Sequence, residues 1–513
     1  MVDRREWRWV AGAALAIVLA SWLPYLVGWV AAPTTAHFTG LVYNPIDGQS
    51  YIAKMRQGSA GSWLFQLTYT PEPHPGAPIY LFYLLLGHLA RWTGLPLLAV
   101  YHGVRTMAGL AFLCGLYRLA ADLVDGTAQR RFLFALAALG AGLGWLSGPL
   151  GRQTPDLWVN EAFPFAAMLT NAHFPTALAL MVWAAHWGLQ VQTSPLAAAA
   201  LAASAVGLGA IQPFGLAPLC GGLAGAWLMQ ALRRRPATSQ RARGLARQAV
   251  ATITAALLAL PYPLYTLGAM HADPILAAWT AQNLTPSPSL LDWLLGLGLL
   301  APLAVGGGLA AIRRGSAGDG LLLGWVGATA VGLALPLDLV RRLSLGLAVA
   351  VGLLAGLGWL RLTRRWRPPI RRLGAFALAT LTALTPLFLL ILGGSAALTE
   401  HPLLYLGNGE WAALAWLREH APPDTVVLCA PETGLFVPAW AGQRVVYGHP
   451  FETIDAATRQ LQVEQFWSGE RDESWLEQLG VGYIIYGPRE RALGPPPQGE
   501  PLFSAGDAAI YQR

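Results

Sequence analysis

The chain reads WVAGAALAIVLASWLPYLVGWVA over residues 9–31, directly behind Arg4, Arg5 and Arg8. A helix needs roughly 20 apolar residues to cross ~30 Å of hydrocarbon, and this run is long enough. The apolar core of a cleaved signal peptide is shorter, about 7–15 residues, and ends in small residues. Here Trp22, Pro24, Tyr25 and Trp29 interrupt any such ending. The run therefore predicts an uncleaved first helix, with the amino terminus held in the cytoplasm by its arginines.

Further apolar runs follow. Residues 78–121 form one, interrupted by Arg91-Trp92-Thr93-Gly94, and count as one net crossing. The others are 132–150, 174–192, 197–212, 214–232, 248–268, 290–312, 320–337, 343–360 and 373–394. Together these predict about eleven transmembrane helices. Arg130-Arg131, the run from Arg233-Arg234-Arg235 to Arg247, Arg313-Arg314 and the run from Arg361 to Arg372 then all lie on the cytoplasmic side. Composition agrees. Of 513 residues, 55% are hydrophobic and 12% charged, with mean hydropathy +0.45. A soluble domain carries roughly 25% charge. A disordered chain, a rod and a cytosolic enzyme are excluded. The three cysteines form no disulfide framework.

Charge changes along the chain. Residues 396–513 hold 15 acidic and 7 basic side chains, and the remainder 12 and 27. The basic groups sit in short runs between apolar segments, which is a membrane pattern and not a nucleic-acid surface. Past residue 396 the pattern alternates. Glu410–His420, Glu452–Phe466 and Glu473–Leu479 read as helices. Thr425–Ala430, Arg444–Tyr447, Gly482–Tyr486 and Ala508–Tyr511 read as strands. The expected architecture is a mainly α polytopic membrane domain, 1–395, with a long first outer loop at 32–77. A small extracytoplasmic α/β domain, 396–513, follows it.

Three segments predicted on the outer side hold most of the polar chemistry. The first is Tyr43-Asn44-Pro45-Ile46-Asp47-Gly48-Gln49-Ser50-Tyr51. A carboxylate at a membrane boundary can serve as a general base on a hydroxyl or as a ligand for a divalent cation, and Asp47 can equally belong to a Pro-x-Asp-Gly turn. The second, 151–175, carries Asp156, Glu161, Asn171 and His173, and reads either as a further set of acid and ligand groups or as a solvated loop. The third is Asp338-Leu339-Val340-Arg341-Arg342. Paired guanidiniums at an outer headgroup suit phosphate, with snorkelling or pairing to Asp338 as the alternative. Arg105, beside His102 within an apolar run, is a similar candidate. There is no phosphate-binding Gly-rich loop, no His-Glu-x-x-His, no Cys-x-x-Cys and no nucleophile elbow, which argues against ATP-driven transport and zinc proteolysis.

These segments resemble the GT-C superfamily of membrane glycosyltransferases, in the manner of the dolichyl-phosphate-mannose–protein mannosyltransferases and the ArnT-like enzymes. Asp47-x-x-x-Tyr51 in a long first loop, with Ile52–Arg56 and Gly61-Ser62-Trp63 behind it, carries the likeness. His74-Pro75-Gly76-Ala77-Pro78-Ile79-Tyr80, then Gly94 with Arg105, and the late Arg341-Arg342 complete it. The family's second acid beside the aspartate is absent, since Ile46 and Gly48 flank Asp47.

The resemblance implies sugar transfer from a polyprenyl-phosphate-linked donor to a lipid, glycan or protein acceptor on the outer face of the cell membrane. It implies Asp47 as base or metal ligand, with Glu161 or Asp156 as the second acid. It implies Arg341, Arg342 and Arg105 at the donor phosphate, and Tyr51, His74, Asn171 and His173 around the substrate. A divalent cation, magnesium or manganese, is the cofactor left open; no nucleic acid is implied. A transporter or flippase of a lipid-linked glycan, or a non-catalytic assembly protein on the same scaffold, are the competing readings.

Overall fold

The computed structural model describes residues 2–233 and 239–513. Arg234 and Arg235 of the predicted cytoplasmic arginine run lie outside them. Among the described residues six helices are long and apolar enough to cross a bilayer: Arg4–Ala31, Leu97–Leu123, Pro213–Leu232, Ser239–Ala272, Val340–Leu362 and Pro368–Leu398. A seventh arises if Leu290–Leu297 and Leu300–Arg314, bent by 88°, form one span. Pro195–Ile211 and Ala317–Leu333 are apolar but shorter. The chain is a multi-pass membrane protein. Its long helices are fewer than the eleven runs read from hydropathy, because glycine and proline cut several runs short. The 132–150 run, for example, is helical to Leu139, breaks at 140–143 where Gly140 and Gly142 stand, and resumes only as the single turn Gly144–Ser147.

Contacts divide the chain into two compact units. One comprises Met1–Leu23, His102–Leu264 and Thr285–Leu392; the other comprises Pro24–Tyr101, Tyr265–Leu284 and Gly393–Arg513. Residues 393–513 thus share a packing unit with the first loop.

In the first unit the helix Leu347–Leu362 is buried on nearly every side, as its uniformly apolar sequence requires. The helices Leu216–Arg233 and Ala317–Leu333 meet through two small-residue pairs, Gly221 with Gly225 and Gly320 with Gly324. A Cβ on Gly225 would stand 2.3 Å from the Gly320 carbonyl oxygen, so these backbones touch only because neither residue has a side chain. Glu6 anchors the start of this unit, accepting from Tyr117 Oη (2.7 Å) and pairing with Arg130 (3.1 Å).

In the second unit the first loop is not a loop. After α1 (Arg4–Ala31) and strand β1 (Ala36–Phe38), residues Pro45–Ser59 form helix α2. Pro45 takes the first helical turn, where its missing N–H costs nothing, and Asp47 sits in that turn, where the helix dipole favours an anion. The predicted Pro-x-Asp-Gly turn is thereby corrected. α2 packs on α3 (Leu81–Thr93), and a Cβ on Gly87 would lie 2.0 Å from the Met55 carbonyl oxygen. α4 (Leu97–Leu123) follows.

β2 (Tyr405–Gly407) pairs antiparallel with β1. The remaining strands are β3 (Val426–Leu428), β4 (Arg444–Val445), β5 (Val481–Tyr486), β6 (Phe503–Ala505) and β7 (Ala508–Gln512). They form one sheet in the order β4-β3-β5-β7-β6, with β4, β3 and β5 parallel. Its core holds Val426, Leu428, Val446, Ile484, Trp467 and Trp475.

The link between this sheet and α2 is ionic. Lys54, the only lysine in the chain, is buried to 1% and its Nζ lies 2.7 Å from Glu452 Oε1 and 2.5 Å from Ser50 Oγ. The rings of Tyr80, Phe65 and Tyr51 stand around the ammonium at 4.8, 5.1 and 5.4 Å. Removing one member of a buried pair strands the other charge, at a cost of about 3–5 kcal/mol. Lys54→Met is therefore expected to lower the unfolding temperature sharply in detergent melts, whereas the Lys54→Met, Glu452→Leu double variant recovers most of the loss.

Candidate functional site

α2 presents Asp47 at its exposed end. Asn44 precedes the helix with φ 49°, a left-handed conformation that asparagine tolerates. From there its Nδ2 donates to Asp47 Oδ2 at 2.7 Å. The other oxygen, Oδ1, faces His449 Nε2 at 3.5 Å, and 40% of the Asp47 side chain stays exposed. Burial opposes ionisation of Asp47, but the His449 and Asn44 contacts and the charge of Lys54 outweigh it and hold the carboxyl at about 2. The group is an anchored, accessible anion at any physiological pH. Glu452 is likewise lowered, because Lys54, His449 and Ser50 together overcome its burial.

His449 and Glu452 come from the segment that leaves the carboxyl end of β4. His449 Nδ1 accepts backbone N–H bonds from Phe451 (3.1 Å) and Glu452 (3.2 Å). Its side chain is 1% exposed. Nearby, Gln49 Oε1 accepts from Trp440 Nε1 at 3.0 Å, and Tyr51 stacks on Tyr83 with centroids 4.2 Å apart. Tyr51 thus lies on the same helix as Asp47, one turn on. His74 belongs to this unit but is committed to its own loop: Nε2 accepts from the Leu67 N–H (2.8 Å) and Nδ1 donates to the Pro75 carbonyl (2.8 Å).

The other predicted residues belong to the first unit. Gly151–Gln153 and Trp158 are exposed, but Asp156, Glu161, Asn171 and His173 are each 7% exposed or less. Glu161 Oε1 accepts from Arg341 Nε at 3.2 Å, and the Arg341 guanidinium lies 4.9 Å from the Trp158 ring centroid. Two residues predicted for separate roles are therefore joined. Among the described residues neither Nη of Arg341 has a protein acceptor, and its side chain is 24% exposed. Arg342 stands over Phe214 at 5.6 Å. Arg105 is turned to the end of the helix Pro164–Leu169, where Nη1 donates to the carbonyls of Met168 (2.8 Å) and Leu169 (3.2 Å), as a basic cap does. Asn171 and His173 stand at the start of the helix His173–Gln190, with the His173 ring 4.0 Å from Phe174.

Asp156 is a staple. Its Oδ2 accepts from the N–H groups of Gly142 (3.1 Å) and Gly144 (2.9 Å) and from Thr385 (2.9 Å), and Oδ1 accepts from Thr154 (2.6 Å). A carboxylate with four protein donors offers a metal little. No group of three His, Cys, Asp or Glu side chains suited to a metal occurs among the described residues. Among the described residues the donor sets do not fit the divalent cation implied above.

Sequence reading missed the role of Lys54 and Glu452, although a sole lysine in an apolar chain was a signal for the first.

No family model matches the sequence, and no curated protein matches it. Solved structures do. The archaeal oligosaccharyltransferase AglB from Archaeoglobus fulgidus, in complex with an inhibitory peptide and a dolichol-phosphate, aligns at 14% identity over 94% of this chain and 70% of its own, TM-score 0.53. An oligosaccharyltransferase from Archaeoglobus fulgidus tethered to an acceptor peptide aligns at 16% over 92% and 69%, TM-score 0.51. The mycobacterial arabinofuranosyltransferase AftD aligns at 18% over 98% of this chain and 40% of its own, TM-score 0.52. The chain shares the fold of these three solved transferases.

Proposed function

We propose that this protein is a membrane glycosyltransferase that moves a sugar from a polyprenyl-phosphate carrier to an acceptor hydroxyl on the extracytoplasmic side. The observation that carries the reading is Asp47: an exposed carboxylate, fixed at one oxygen by Asn44, on the loop helix where the family resemblance places the reacting acid. In this reading the acceptor oxygen attacks the anomeric carbon and gives its proton to Asp47. The bond from that carbon to the phosphate oxygen breaks, and the carrier leaves as polyprenyl phosphate. Within the first unit Arg341, oriented by Glu161 and the Trp158 ring, offers its Nη groups to a lipid phosphate, with Arg342 as a second cation. Glu161 thus serves Arg341 rather than acting as a second acid. Tyr51 flanks the acceptor side. AglB is described with a dolichol-phosphate, which supports a lipid-phosphate donor here.

Three results are expected from purified protein assayed against radiolabelled polyprenyl-phosphate hexoses and pentoses. Asp47→Asn loses roughly 10²–10⁴-fold in transfer, the range of a positioned base; wild-type transfer by this variant would sink the mechanism. Arg341→Ala raises the donor KM, and Arg341→Lys recovers only part of it, because a point charge replaces a planar fork.

The third concerns pH. The carboxylate is the active form, and its folded value lies below the ordinary one. Activity attributable to Asp47 therefore persists as pH falls through 4 and is lost only toward about 2. Asn44→Ala removes one stabilising donor, so its kcat/KM profile should show the acid limb displaced upward, toward the usual carboxylate range.

A further inference from the structure

We infer that His449 is a positioning residue for Asp47, so that the segment following β4 completes the transfer site. The inference rests on the reading of Asp47 given above and adds a residue to it.

The geometry assigns the imidazole's protons. Nδ1 accepts two backbone N–H bonds, from Phe451 and Glu452, so it carries no hydrogen. Nε2 must then bear the N–H, and Nε2 is the atom that faces Asp47 Oδ1 at 3.5 Å. The ring cannot turn away. It is 1% exposed, and the Tyr69 ring lies 5.3 Å from it, with the Tyr69 hydroxyl tied to the Leu435 carbonyl at 3.0 Å.

The turn that carries the ring is equally fixed. Thr453 Oγ1 accepts from the N–H groups of Gly448 (3.3 Å) and His449 (3.2 Å), and the Thr453 N–H donates to the His449 carbonyl (3.0 Å). Gly448 is wedged so closely that a Cβ would lie 2.2 Å from the Gly434 carbonyl oxygen. Glu452, one turn on, is locked to Lys54 of α2. A fixed imidazole Nε2 therefore stands within ion-pair distance of one carboxylate oxygen in a dry setting, with no hydrogen bond yet closed between them, while Asn44 holds the other oxygen. That arrangement selects which lone pair of Asp47 remains for the acceptor hydroxyl.

Two substitutions in the full-length protein separate this role from a structural one. Asparagine places an acceptor where Nδ1 stands but is too short to reach Asp47. Glutamine places an N–H where Nε2 stands but gives up the two bonds that stabilise the turn. His449→Asn is expected to keep its unfolding temperature and donor KM and to lose roughly ten- to hundred-fold in kcat, the worth of a hydrogen bond that shortens onto the charged carboxylate once substrate is bound. His449→Gln is expected to melt earlier and yet to hold kcat closer to wild type. Wild-type kcat in His449→Asn, or a His449→Gln no faster than His449→Asn, overturns the inference. Asp47→Asn, assayed alongside with the same polyprenyl-phosphate sugars, tells the two failures apart. If it transfers normally, the reading of Asp47 is wrong. If it is inactive while His449→Asn is unaffected, only the positioning role falls.

Discussion

The ion pair between Lys54 and Glu452 is the constraint from which the second unit takes its form. Neither partner is tolerable alone in so dry a place. The attraction between them joins a helix near the amino terminus to a turn about four hundred residues later. Ser50 bridges the two charges, and three aromatic rings exclude water from them. A pair of this kind adds little net stability over an apolar substitute. What it adds is register: α2 has one rotation about its axis at which Lys54 meets Glu452, and at that rotation Asp47, two turns earlier, comes opposite His449.

This explains which parts of the structure were legible. The apolar runs announced helices, and the strands at 425–430, 444–447, 482–486 and 508–511 were visible from their β-branched and aromatic residues. α2 was not, because its buried positions include Gly48, Gln49, Ser50, Lys54 and Gly58. A helix whose inner face is polar lacks the stripe that reveals an amphipathic one. The same blindness applied to 151–175. Its acids read equally as site groups or as a solvated loop, but Asp156 is enclosed by backbone N–H groups and Glu161 by an arginine, partners from as far away as residue 341 and residue 385. Local sequence signals solubility for a carboxylate; only tertiary contacts tell when its charge is satisfied inside.

The electrostatics of Asp47 bear on the kind of step it can assist. A carboxylate held at about 2 is a weak base, and a weak base is poor at removing a hydroxyl proton early. It is well suited to a step in which the bond to the leaving phosphate breaks first, charge builds on the sugar as an oxocarbenium, and the acceptor proton moves late. In the proposed mechanism the anion would then contribute mainly by orienting the hydroxyl and by facing developing positive charge. A carboxyl with a raised value would trade that constancy of charge for basicity.

The α/β sheet shows why the turn after β4 is the working edge. In parallel sheets ligands settle where successive strands send their connections to opposite sides, here between the carboxyl ends of β3 and β5. That crevice is filled from within. Glu490 places Oε1 on the Ala430 N–H at 2.8 Å and Oε2 on the Gly487 N–H at 2.7 Å, using the backbone donors that an outside anion would need. Burial raises its carboxyl against the pull of these hydrogen bonds. With the central crevice closed, the next strand end along is β4, and its chain runs straight into His449 and Glu452. The sheet thus keeps the polarity of a binding fold, but its binding edge is spent on holding one helix of its own chain.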